Sequence, residues 1–287
     1  MHDQAESLRR QVNQNQQTEA KVVAVVSGKG GVGKSNVSLN FAIALAQKGK
    51  KVTIVDLDIG MGNLDIMLGK PTKYSIVDML ESQLTIWDII EKGPENIQYI
   101  SGGSGLTSFV KINQSLLDRF TQQLLSLSQE NDFILLDLGA GVTEDSIGFI
   151  LAADEMMVVT TPEPTSMTDA YSMIKFVTLK DYSKPMYLII NKIDTKEEGS
   201  QTFSNLNRVS KQFLDKELRL LGSLPNDPSV TKAVKAQKPF LIFLPHAGVS
   251  TGLKTIASHY LGESSRITKT SRFAEKMKAF FRKKTFS

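Results

Sequence analysis

Six short apolar runs, at 21–27, 51–57, 132–137, 154–160, 186–190 and 218–224, punctuate this chain, and polar or glycine-containing stretches follow them. Between them lie segments in which apolar residues return every three or four positions, as at 111–129, 165–180 and 202–217. Runs such as Val22-Val23-Ala24-Val25-Val26 do not alternate with polar residues, which predicts strands buried on both faces, as in a parallel sheet. Strands of that kind alternating with helical segments give the βαβ rhythm of an α/β fold with a mostly parallel central sheet flanked by helices. No internal repeat is present. In such sheets ligands gather at the carboxyl ends of the strands, so the residues just after each run are the candidates for chemistry.

After the first run comes Gly28-Lys29-Gly30-Gly31-Val32-Gly33-Lys34-Ser35, followed by Asn36 and by Leu39, Ala42, Ile43 and Ala46 at helical spacing. Strand, glycine loop and helix in that order satisfy G-x-x-x-x-G-K-[ST] in its required context and predict a P-loop NTPase. Glycines let backbone N–H groups approach phosphates, and the helix N-terminus adds partial positive charge. Lys34 reaches the β- and γ-phosphates, and Ser35 offers its hydroxyl to Mg²⁺. A chance glycine turn would have to satisfy all of these conditions together.

Three later strand ends add to the picture. The second run leads into Asp56-Leu57-Asp58-Ile59-Gly60 and then Gly62-Asn63-Leu64-Asp65; Phe133–Leu136 ends in Asp137, followed by Leu138-Gly139-Ala140-Gly141. An apolar strand ending in one carboxylate is the Walker B pattern, which makes Asp137 a metal-side acid. The aspartates at 56–65 read either as phosphate-side groups or as loop and cap residues. After Ile190 comes Asn191-Lys192-Ile193-Asp194, which has the spacing of a guanine-recognition motif, so base identity is open at this point. Asp194 can equally be a turn residue.

The second lysine of the loop, Lys29, is not needed by an ordinary phosphate loop. With Gly30 to Ser35 it resembles the deviant Walker A of the MinD/ParA class. That resemblance implies an ATPase that dimerises face to face with ATP, Lys29 reaching the partner's nucleotide. It also implies a catalytic Asp58 that orients the attacking water and contributes on the metal side, with Asp65 in the same switch. Gly141 would be a glycine of the second switch, where Gly139 replaces the class's proline. The resemblance further implies adenine contacts from Asn191 and from Pro225, Asn226 and Asp227. The cofactors implied are ATP and Mg²⁺.

Composition narrows the setting. The 287 residues contain no cysteine, which removes disulfides, thiolate metal sites and the cluster-holding chemistry of related iron–sulfur carrier ATPases. Residues 1–20 lack the apolar core of a secretory signal, and no apolar stretch approaches the ~18 residues needed for a span, so a cytoplasmic protein is expected. The net charge of +4 hides an asymmetry, because residues 266–287 alone carry +7. There Phe273, Met277, Phe280 and Phe281 fall at i, i+4, i+7 and i+8 while most of the cations point elsewhere, the pattern of a basic amphipathic helix. Such a helix can lie on an anionic membrane surface, dock its aromatic face on the body, or bind nucleic acid; the membrane reading is preferred and nucleic acid is the least favoured. MinD relatives use their C-terminal helix on membranes.

At the other end, Asp3-Gln4-Ala5-Glu6-Ser7-Leu8-Arg9 precedes a Gln- and Asn-rich stretch with the composition of a flexible tether. With the ATPase motifs, D-Q-A-x-x-L-R resembles the N-terminal motif of the FlhG family (YlxH, FleN), the MinD-like regulators of flagellar number and placement. The resemblance implies that Asp3, Gln4, Ala5, Leu8 and Arg9 engage the GTPase FlhF and stimulate its hydrolysis. It also implies partners among switch-complex proteins of the FliM and FliN/FliY type. The expected organisation is a partner-activating segment at 1–20, an ATPase domain at 21–262 and a membrane-targeting helix at 263–287, reversibly peripheral at the cytoplasmic membrane. A division-site MinD and a ParA-like segregation factor are the alternatives.

Overall fold

The computed structural model describes residues 19–58, 62–103, 114–141, 143–264 and 273–285. Its strands are β1 (Lys21–Val26), β2 (Val52–Leu57), β3 (Glu91–Lys92), β4 (Gln98–Ile100), β5 (Phe133–Leu138), β6 (Glu155–Thr160), β7 (Met186–Ile193) and β8 (Arg219–Pro225). They form one sheet in the order β3-β4-β2-β5-β1-β6-β7-β8, parallel throughout except for the β3–β4 pair at one edge. The mostly parallel sheet is the one the apolar runs predict, because β1, β2, β5 and β6 are buried at every position.

Helices cover both faces. On one side lie α1 (Lys34–Ala46), α2 (Leu64–Leu68), α9 (Pro228–Lys235), α10 (Phe240–Phe243) and α11 (Gly248–Ser264). On the other lie α3 (Ile76–Glu81), α4 (Ile86–Ile89), α5 (Gln114–Glu130), α6 (Glu144–Ala152), α7 (Pro164–Lys180), α8 (Lys196–Leu214) and α12 (Phe273–Thr285). The pleat divides each strand between two cores: Val23 and Val25 join Phe41, Leu253 and Tyr260, whereas Val22, Ala24 and Val26 join Phe149, Ile174 and Met277.

The segment expected at 202–217 forms a helix that begins six residues earlier, at Lys196, because the Thr195 hydroxyl accepts the Glu198 N–H and starts it in a polar turn with no apolar signal. It stops at Leu214, after which Asp215 takes the left-handed conformation. Strand β7 runs three residues past Ile190, to Ile193. Residues 111–113 of the helix expected at 111–129 lie outside the described residues, as does the N-terminal motif at 3–9.

Helix α12 docks on the body against α5 and α6. Phe273 and Met277 are buried in the core of that face, and the half-buried Phe280 packs against it. Of the three readings open for the basic amphipathic helix, docking is the one realised in this structure. Among the described residues no helix is long and apolar enough to cross a membrane.

Candidate nucleotide site

Five strands converge at their carboxyl ends on a cavity of about 560 Å³. The loop leaving β1 forms its floor. Gly31 and Gly33 sit at φ of 81° and 89°, backbone that only glycine adopts without strain, and a side chain on Gly33 would also strike the Asn191 amide. Gly28 is needed for a different reason: a Cβ there would fall within 2.5 Å of the backbone of Asp169 and Ala170 in α7.

Of the sequence candidates, Gly30, Gly31, Gly33, Lys34, Ser35, Asn36, Asp58, Asn191, Pro225, Asn226 and Asp227 line the cavity. Gly28, Lys29, Val32, Asp137 and Gly141 do not. The buried Lys34 Nζ lies 2.6 Å from Asp137 Oδ1 and 3.3 Å from Ser35 Oγ. Lys29 turns outward, its ammonium 3.0 Å from Glu163 Oε2 and 3.2 Å from Thr165 Oγ1 at the start of α7. Gly141, at φ 82°, donates its N–H to the Ser27 carbonyl, so this N–H is not presented to the cavity.

Asp137 and Asp56 stand side by side on adjacent strands, in register between β5 and β2. Burial, and then the charge of Asp137, push the Asp56 carboxyl up to about 7. Asp56 accepts from the N–H of Asp58 at 3.0 Å and of Asn63 at 3.1 Å, holding together the two ends of the loop that presents Asp58. Ile59 and Gly60 of that loop lie outside the described residues. Asp137 Oδ2 is buried and has no hydrogen-bond partner among the described residues. Two crowded carboxylates, an orphaned carboxylate oxygen and the Ser35 hydroxyl suit a hard divalent cation that takes oxygen ligands, so the residues present fit Mg²⁺.

At the other end of the cavity the walls are apolar, from Leu224, Val230, Val234, Phe240 and Val249, which suits a flat base. The Asn191 Nδ2 donates to the Val32 carbonyl at 2.8 Å, leaving the amide oxygen as its free-standing acceptor for a ligand. Asp227 is spent on structure: it accepts from the Ser229 and Val249 N–H groups, capping α9 and tying it to α11, and these bonds hold its carboxyl below the ordinary value despite partial burial. Asp194, the residue a guanine site would require, is exposed and does not line the cavity; Asn226 Nδ2 reaches it at 3.4 Å. The lining residues that the sequence pattern missed include Met67, Lys192, Val230, Val234, Phe240 and Val249. Lys192 had a signal, its place beside Asn191; the apolar ones had none, since a base-facing valine looks like any core valine.

The family model ParA, described as NUBPL iron-transfer P-loop NTPase, matches residues 18–261. The antiactivator FleN of Pseudomonas aeruginosa is 34% identical over 238 residues, which cover 83% of this chain and 85% of FleN. The flagellum site-determining protein YlxH of Helicobacter pylori is 34% identical over 83% of this chain and 80% of its own length. The cell division ATPase MinD of Pyrococcus furiosus superposes with a TM-score of 0.72 at 24% identity, covering 85% of this chain and 99% of MinD. The Mg-ADP complex of MinD from Pyrococcus horikoshii gives 0.71 at 24%, covering 88% and 100%.

Proposed function

The chain belongs to the ParA family of P-loop NTPases, as a MinD-like ATPase of the FlhG (FleN, YlxH) type using ATP and Mg²⁺, and from that premise we propose that it is a nucleotide-driven attachment switch controlling flagellar assembly. Two monomers join when ATP is bound, their C-terminal helices attach to membrane, and hydrolysis returns monomers.

In this reading the loop N–H groups and Lys34 hold the β- and γ-phosphates, and Lys34 leaves Asp137 to do so. Ser35 and Asp137 would hold Mg²⁺, with Asp58 also on the metal side, and the ion would offset the charge of the phosphates and of the carboxylate pair. Asp58 orients the attacking water; in phosphoryl transfer positioning and charge stabilisation account for most of the catalysis. Lys29, whose ammonium already points away from its own cavity, crosses to the nucleotide of the second copy. The Asn191 oxygen and the backbone at Pro225–Asp227 face the adenine. Asp227 shapes this wall through its capping bonds.

The observation that carries the switch is where α12 rests. It packs on α6, and the N-cap of α6, Thr143, comes two residues after Gly141, so a rearrangement of that loop around a γ-phosphate is transmitted to the docking groove. Burying Phe273 and Met277 stabilises the docked state by about 1.5–3 kcal/mol each. An anionic surface offers about 1 kcal/mol per cation to a tail with eight Lys or Arg in residues 266–287. By these figures the two resting places of one helix lie within a few kcal/mol of each other, and pairing two helices adds avidity without a new contact.

Residues 1–20 form the partner-activating segment, with Asp3, Gln4, Ala5, Leu8 and Arg9 engaging FlhF; 21–262 form the ATPase domain, which α11 extends to Ser264, and the segment 263–287 carries the membrane-targeting helix α12. Switch-complex proteins of the FliM and FliN/FliY type are further partners by family resemblance. The test pairs two measurements: sedimentation with anionic vesicles under ATP and ADP, and GTP hydrolysis by FlhF with a peptide of residues 1–20. Binding favoured by ATP together with stimulation lost in Gln4→Ala, Arg9→Ala supports the whole reading. Vesicle binding without stimulation would leave a division-site MinD, and retention on duplex DNA in place of vesicles a ParA-like segregation factor.

A further inference from the structure

We infer that Asn191 and Lys192 clamp two consecutive peptide planes of the phosphate loop, and that Lys192 is a positioning residue for phosphate binding. The starting point is an irregularity in β7. Ile190 pairs with Ser223 of β8 and Ile193 with Pro225, so three steps on one strand answer two on the other. The extra residue is a bulge, a device that re-aims side chains at strand ends. At the bulge Lys192 adopts φ 57°, a conformation an L-residue keeps only when its surroundings fix it.

What fixes it is the loop. Lys192 Nζ donates to the Gly31 carbonyl at 2.7 Å, and Asn191 Nδ2 donates to the Val32 carbonyl at 2.8 Å. In a trans peptide the C=O and the N–H that follows it point in opposite directions, and no cis peptide occurs among the described residues. Pulling the Gly31 and Val32 carbonyls toward β7 therefore turns the N–H groups of Val32 and Gly33 away from it, toward the hollow of the loop where Lys34 begins α1. Neither N–H has a protein acceptor among the described residues. Val32 is buried, and an orphaned N–H there is costly without a ligand. Gly33 completes the arrangement, since any side chain on it would displace the Asn191 amide. The two donors are thus aimed before a phosphate arrives, and a site organised in advance loses less on binding.

The inference rests on the nucleotide reading above and adds one residue and one task to it. The test compares wild type, Lys192→Met and Lys192→Arg for Mg-ADP affinity, for thermal unfolding without nucleotide, and for the amide resonances of Val32 and Gly33 with Mg-ADP. Lys192→Met should weaken Mg-ADP about tenfold, the scale of one charge-assisted hydrogen bond, with unfolding unchanged because the side chain is exposed. The nucleotide-induced displacement of the Val32 amide resonance should shrink while that of Gly33, held by Asn191, persists. Lys192→Arg should restore both affinity and resonance. Wild-type affinity in Lys192→Met would overturn the clamp, as would weakened binding with the Val32 resonance intact, which would reassign Lys192 to contact with the base. Failure of wild type to bind Mg-ADP would overturn the nucleotide site itself and the clamp with it.

Discussion

Lys34 and Asp137 show how a binding site stores charge when their carboxylate and ammonium are buried together. Removing one partner of such a pair leaves an uncompensated charge in the interior, at a cost of about 3–5 kcal/mol. Here the neighbour is Asp56, another acid, which makes relief harder. Lys34→Ala should therefore lower the urea midpoint as well as abolish nucleotide binding; an unchanged midpoint would mean that the pair contributes little to the fold. Gly139 carries a subtler constraint. A Cβ there would lie 3.2 Å from Asp58 Oδ1, tighter than ordinary contact, so the glycine that replaces the class's proline makes room for this carboxylate. Gly139→Ala should slow ATP turnover several-fold through a displaced Asp58 while leaving ADP affinity intact, which steady-state hydrolysis and ADP titration would separate. At Asp154, which accepts the Val22 N–H at 2.8 Å, burial pushes the carboxyl above its ordinary 3.8. The folded chain then keeps the proton to higher pH than the unfolded chain. Its contribution is full below 3.8 and is lost as pH rises through the folded value. Asp154→Asn keeps an acceptor for Val22 but cannot ionise, so the difference in urea midpoint should move in the variant's favour as pH rises above 3.8.

Among the elements, the long apolar strands were legible, while the short elements and the 17-residue α11 were not. The apolar runs place six of the eight strands, whereas β3 and β4 are two and three residues long and carry too few positions for a pattern. Helices α3 and α4 begin at capping boxes, Ser75 with Asp78 and Thr85 with Asp88, signals that lie in side-chain hydrogen bonds more than in periodicity. Helix α12 has an amphipathic face that the sequence displays, but membrane, groove and nucleic acid all present suitable partners to such a face. Met277 is the handle on that choice because it is fully buried in the docked state. Met277→Ala should cost docking about 2–5 kcal/mol, more than the roughly 1–2 kcal/mol that the shorter side chain loses on a membrane surface, and so shift the population toward release and raise vesicle binding with ADP. Retention of nucleotide dependence in co-sedimentation would argue that α12 is not held by this contact.

At the scale of the whole molecule, the cavity joins loops from β1, β2, β5, β7 and β8, and Lys29 is the candidate residue that faces out of it. In the single chain it pairs with Glu163, but both side chains are largely exposed, at 42% and 63%, so the pair is weak and easily exchanged for a phosphate. Lys29→Ala should leave nucleotide affinity nearly unchanged and eliminate ATP-dependent dimers in sedimentation velocity; persistent dimers would remove Lys29 from the interface.

The sequence by itself determined the phosphate loop, the parallel sheet and the amphipathic tail, because each is written in residues within one turn or one strand of each other. Only the tertiary structure decided that Lys34 meets Asp137, 103 residues away, and that Asn191 reaches Val32 across 159 residues. It also decided that Asp194 stays out of the cavity and that Phe273 and Met277 lie in a groove. These depend on strand order, on one bulge and on which helices flank which face. Such long-range choices are made by packing the whole core at once, so local spacing carries no record of them.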